Sequence, residues 1–93
     1  MAIFAVTYGY TGSSDAERDA HRPAHKDFLA GLHRSGRLRV SGPVDGGTGA
    51  LLVLEGGSAQ EIAGVLDADP FHVAGLVGDR TIREWSIVFG ALA

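Results

Sequence analysis

The chain of 93 residues has no cysteine, one methionine and three prolines. Without cysteine it has neither a disulfide nor a thiolate nucleophile, so packing or self-association must supply the stability of so short a chain. A massed positive charge is lacking too: eight Lys and Arg stand against eleven Asp and Glu, a net charge of −3, and the basic residues are scattered. Nucleic acid and membrane surfaces are therefore not expected as partners. No apolar run approaches the roughly 20 residues of a membrane-spanning helix. The opening Ala2-Ile3-Phe4-Ala5-Val6 has no basic residue before it, and no secretory signal is expected. Also missing are a P-loop, a GxGxxG opening a helix after a strand, and a GxSxG elbow. These absences leave one cytoplasmic domain over residues 1–93, whose chemistry rests on histidines, carboxylates and arginines.

What is present reads as six main elements. Ala2 to Tyr10 is apolar or aromatic at nearly every position and reads as a buried strand. Ser14 and Glu17 have capping-box spacing, but Pro23 lacks the donor a continuous helix needs, so Asp15 to His21 is expected as a separate turn or frayed helix. The main helix is placed from Pro23, with His25, Phe28, Leu29 and Leu32 at i, i+3, i+4 and i+7 and Gly36 as its left-handed stop. Arg37 to Ser41, running into Gly42-Pro43, and Gly49 to Glu55 read as the two strands of a hairpin around Asp45-Gly46-Gly47. Ser58 and Glu61 cap a second helix through Ile62, Val65 and Leu66, ending around Asp67. Asp69-Pro70 opens a short helical turn closed by Gly75 or Gly78, and Thr81 to Phe89 reads as a last strand, apolar on both sides.

The order β-α-β-β-α-β is the ferredoxin-like α+β arrangement, a four-stranded antiparallel sheet with two helices on one face. Two helices cover only one face. The first and last strands carry apolar groups on both sides, so a second copy is the expected cover, giving a homodimer with the sheets facing.

His25 lies on the apolar stripe of the main helix, where a titratable imidazole needs a partner. A core histidine bonded to a backbone carbonyl is the equal alternative. The two helices run antiparallel, which brings the start of the first and the end of the second to one sheet edge and places Asp69 with His25. A carboxylate there could hold one tautomer and free the other ring nitrogen for proton transfer, though Asp before Pro is also a routine helix cap. His21 and His25 are four apart, but the HExxH glutamate is missing and Pro23 intervenes, so no metal site is expected. Arg22 could receive a carboxylate or phenolate, or stay solvated. Tyr8, Tyr10 and Ser41 before Gly42-Pro43 could line the same pocket, although as packing and turn residues they need no function. His33 and His72 read as surface or loop positions and Trp85 as core or dimer interface.

The succession Arg22-Pro23-Ala24-His25, Phe28-Leu29, Gly36 to Ser41-Gly42-Pro43, Gly49 to Val53, Asp69-Pro70-Phe71 with Gly75, and a closing strand around Trp85 resembles the YciI-like (YCII-related) family over nearly the whole chain. That resemblance implies a ferredoxin-like fold that dimerises into an α/β barrel and a site on His25 and Asp69. It also implies an activity known within the family, dehydrochlorination of a chlorinated hydroxyhydroquinone, a lyase step that uses no cofactor. His25 would then be the general base, Asp69 would orient it, and Arg22 or backbone donors would steady the oxyanion, with Tyr8, Ser41, Gly42 and Pro43 on the substrate side. Two other readings stay open: a dimeric binding or accessory module with a merely structural His25–Asp69 bond, and a cofactor-free monooxygenase.

Overall fold

The computed structural model describes residues 2–12 and 15–91. In strand β1 (Ala2–Tyr10), Phe4, Val6 and Tyr8 are buried while Ile3, Ala5 and Thr7 are half-covered, the period-two signature of one face on the core. On one side β1 pairs with β3 (Gly49–Gly56), and on the other with β4 (Val77–Glu84); β2 (Leu38–Val44) flanks β3. The order is β2-β3-β1-β4 with every neighbour antiparallel, the arrangement that the element order implies. Helices α1 (Asp15–Arg34) and α2 (Ala59–Leu66), with the short α3 (Pro70–Val73), complete the chain order. Phe4, Val6, Leu52 and Leu54 form the core with Ile62 and Leu66 of α2, against which Phe28, Leu29 and Leu32 of α1 pack.

Both α1 and α3 end in the same way. Gly36 has φ 85° and Gly75 φ 74°. In each case the residue after the glycine donates back across the last turn, Arg37 N–H to the Leu32 carbonyl at 3.0 Å and Leu76 N–H to the Phe71 carbonyl at 2.9 Å. This is the six-to-one closure that a left-handed residue permits. At the start of α2, Ser58 Oγ accepts the Glu61 N–H at 3.1 Å, while the Glu61 carboxylate accepts from Gly57 N–H at 2.9 Å. The proposed Ser14 cap of α1 lies outside the described residues.

Two expectations are corrected. The helix does not restart at Pro23: α1 is continuous from Asp15 to Arg34 with Pro23 inside it. Its first two turns are held from outside, because Arg18 is buried and its guanidinium lies 5.1 Å over the Tyr10 ring. Pro23 and Asp19, the residue whose carbonyl loses its donor, are both exposed, so water can serve that carbonyl. The last strand is Val77–Glu84, not Thr81–Phe89. Tyr10 pairs with Val77 and Phe4 with Glu84, and Trp85 N–H still reaches the Ile3 carbonyl at 2.8 Å.

A register shift in β2 bears on the site. Leu38 opposes Leu54 and Val40 opposes the next residue, Val53, so Arg39 is the extra residue of a bulge. A one-residue slip turns every later side chain to the other face. Ser41 and Pro43 consequently oppose Leu52 and Ala50 on the helix-covered side, whereas Val40 and Val44 turn to the open face with Leu51. Among the described residues no helix is long and apolar enough to cross a membrane.

Candidate functional site

Asp69 begins as a helix cap. It precedes Pro70, is extended (φ −61°, ψ 125°), and its Oδ1 accepts the Phe71 N–H at 2.9 Å. The same oxygen lies 2.7 Å from His25 Nδ1, and Oδ2 accepts the Tyr8 hydroxyl at 3.0 Å. Asp69 is fully buried, with 0 % exposure. A carboxylate can only accept, so the geometry assigns the Nδ1 proton to His25. Capping and histidine contact therefore coexist in one side chain.

Aromatic rings set the imidazole's orientation. His25 stacks on Phe71 with centroids 3.9 Å apart and planes 1° apart, and Tyr10 meets the edge of Phe71 at 5.6 Å. The site thus draws on α1 for His25, the turn into α3 for Asp69 and Phe71, and β1 for Tyr8 and Tyr10. Burial, followed by the negative charge of Asp69 and the hydrogen bond to it, pushes the Tyr8 phenol far above its ordinary range. Burial first and Asp69 second also raise Tyr10, against the opposing charges of Arg18 and Arg22. Tyr8 therefore remains a protonated donor to Asp69 wherever the fold persists at ordinary pH.

His25 and Phe71 are at one end of a cleft of about 1010 Å³ between α1 and the edge strand β2. Leu29, Leu38, Ala50 and Leu52 give it an apolar floor, and Ser41, Gly42 and Pro43 form part of its far wall. The bulge at Arg39 is what aims Ser41 and Pro43 inward. Arg22 lines the cleft as well, paired with Asp19 one turn earlier. Tyr8, grouped with the substrate-side residues in the sequence, is 2 % exposed and sits behind Asp69 rather than on the cleft wall. By helical spacing Lys26 belongs to a face other than the apolar stripe, His33 reads as a surface or loop position and Arg39 carries no role; all three line the cleft. The spacing 22, 26, 29, 33 was a readable helical stripe, but nothing in it said that β2 would stand opposite. Among the described residues no three His, Cys, Asp or Glu side chains are grouped to hold a metal ion.

Comparison with known proteins places this arrangement. The fold is similar to that of the 5-chloro-2-hydroxyhydroquinone dehydrochlorinase TftG of Burkholderia phenoliruptrix AC1100, solved as a complex with 2,5-dihydroxybenzoquinone. The TM-score is 0.78 at 26 % identity, covering 90 % of this chain and 93 % of that one. The uncharacterised protein YjpA of Bacillus subtilis (strain 168) is 36 % identical over 67 residues, 72 % of this chain and 78 % of YjpA. Residues 1–86 match the YCII-related domain, and the chain belongs to that family.

Proposed function

We propose that this is a cytoplasmic, dimeric lyase or isomerase that moves a proton on a small polar or aromatic molecule, with His25 as general base and acid and Asp69 orienting it. The observation that carries the reading is the 2.7 Å contact between His25 Nδ1 and buried Asp69 at the wall of a cleft of about 1010 Å³. With Nδ1–H committed to Asp69, Nε2 holds the lone pair that can meet a ligand. It takes a proton from a hydroxyl or an activated carbon, the imidazolium is steadied by Asp69, and the electron pair left behind spreads into the ring. Where a chloride departs with an electron pair, the net change is loss of HCl, and no electrons enter or leave. Arg22 and the backbone beside Ser41 and Gly42 are the donors for the developing oxyanion. The likeness to a dehydrochlorinase seen with a dihydroxybenzoquinone supports a phenolic or quinonoid ligand.

A chlorinated trihydroxybenzene, assayed by chloride release, tests the reading. Wild-type turnover should fall about 10²–10⁴-fold in His25→Asn and less in Asp69→Asn, with KM little changed. Turnover of His25→Asn at the wild-type rate would remove His25 as the base. If the wild type binds the compound yet releases no chloride, the second reading leads. That reading is a binding module, and the low exposure of His25, 9 %, is the observation that favours it.

A further inference from the structure

We propose that the cleft selects an organic anion, an aromatic or enolic carboxylate or phenolate, and that Lys26 is the cation that holds it. The proposal rests on the cleft being the substrate site and adds what the substrate must carry. Besides Tyr10 and His25, six ionisable side chains line it: Asp15, Asp19, Arg22, Lys26, His33 and Arg39. Four of them belong to ion pairs. Arg18 pairs with Asp15, Arg22 with Asp19, and Arg39 with Glu55 at 3.1 Å, so each of these couples contributes no net charge. Lys26 has no carboxylate partner within 4.0 Å among the described residues, nor does His33. Among the described residues Lys26 is therefore the cation on the wall that no carboxylate answers when His33 is neutral, while the Asp69 carboxylate is turned to His25, Tyr8 and the Phe71 N–H.

A concave, partly apolar wall concentrates such a charge and draws the opposite one from solution. Lys26 follows His25 directly on α1, and Leu29 and His33 continue its stripe toward the far end. A flat anion can thus rest its body on Leu29, Leu38 and Leu52, meet Lys26 with its charge and present its reacting atom to His25. Arg22 is less suited to this role because Asp19 already meets its guanidinium. The lysine's ammonium, on a flexible stem, can follow the anion without giving up a partner.

Benzoate and its neutral isostere benzamide are the probes, titrated into the protein at low salt and followed by amide chemical shifts of cleft residues. Benzoate should bind roughly tenfold more tightly, the scale of one charge-assisted contact. That preference should disappear in Lys26→Gln, survive in His25→Asn, and shrink as salt is added to the wild type. Equal binding of the two probes, no benzoate shifts in the cleft, or a preference that survives Lys26→Gln overturns the proposal. Loss of the preference in His25→Asn alone overturns it too, since the imidazolium would then be the anion's partner. The chloride-release assay is separate: His25→Asn that keeps the benzoate preference while retaining turnover defeats the base and spares the anion site.

Discussion

Asp69 has to be held as a charge with no water around it, and the side chains beside it are arranged accordingly. An unpaired buried carboxylate costs several kcal/mol, so its stability depends on every donor it keeps. Phe71 N–H, His25 Nδ1–H and the Tyr8 hydroxyl are those donors. Removing only the last, Tyr8→Phe should lower stability by about 1–3 kcal/mol in denaturant unfolding at neutral pH. The same substitution should change the alkaline limb. The Tyr8 phenol ionises well above its ordinary value in the folded protein, chiefly through burial and then through Asp69. In the unfolded chain it ionises near ~10. Its contribution is therefore whole below that pH and is lost as pH rises past it. Unfolding midpoints of the wild type should fall above pH ~10 more steeply than those of Tyr8→Phe; parallel slopes would remove Tyr8 as the cause. In the sequence, topology brings the elements of His25 and Asp69 to one edge and offers them as possible partners, and the family resemblance is what singles the two out. For Tyr8, expected on the substrate side, period-two alternation says that it faces the helices, not whether a ligand or Asp69 awaits it there.

The elements differ in how far local pattern decides them. The ends of α1 and α3 were legible because a glycine with positive φ has a local cause. Pro23 misled because the force that keeps the first turns of α1 helical is tertiary, Arg18 over Tyr10, and propensity cannot show it. Strand β4 is displaced from the expected Thr81–Phe89 because alternation continues through Trp85 and Ile87, whereas its bounds are set by pairing with β1, from Tyr10 opposite Val77 to Phe4 opposite Glu84. The bulge at Arg39, which aims Ser41 and Pro43 into the cleft, is a matter of pairing and leaves no trace in composition. At the start of α2 the local pattern and the tertiary contact agree. Glu61 takes the Gly57 N–H at 2.9 Å and the Arg37 guanidinium at 2.9 Å, and these, in that order, hold its carboxyl below the usual range. A lowered folded value contributes stability above the unfolded value of ~4.3 and loses it as pH falls through the folded one. Glu61→Gln should therefore lower Tm at pH ~6 and make little difference at pH ~2.5. An equal deficit at both would assign the effect to packing instead.

At the scale of the molecule, the sheet separates two tasks by the alternation of its side chains. The helix-covered face carries His25, Asp69 and the cleft, while the opposite face shows Val40 at 48 % exposure, Leu51 at 39 % and Val44 at 36 %, with Trp85 at 43 % just beyond β4. Exposed apolar side chains gathered on one face of so short a chain are what a partner would cover. Sheet-to-sheet pairing of two copies, the dimer read from the sequence, uses that face and leaves both clefts open outward. Sedimentation should give a species of twice 9.7 kDa for the wild type and the single mass for Leu51→Arg. Leu51 opposes Thr7 on the open side, so the substitution points away from the core. The monomer it creates should keep the His25–Asp69 hydrogen bond and the benzoate preference, both read from amide and imidazole resonances. A wild type that sediments as a monomer across the micromolar range would defeat the dimer. Loss of cleft binding in a folded Leu51→Arg monomer would show instead that the two faces are coupled, and the site would then belong to the pair rather than to one chain.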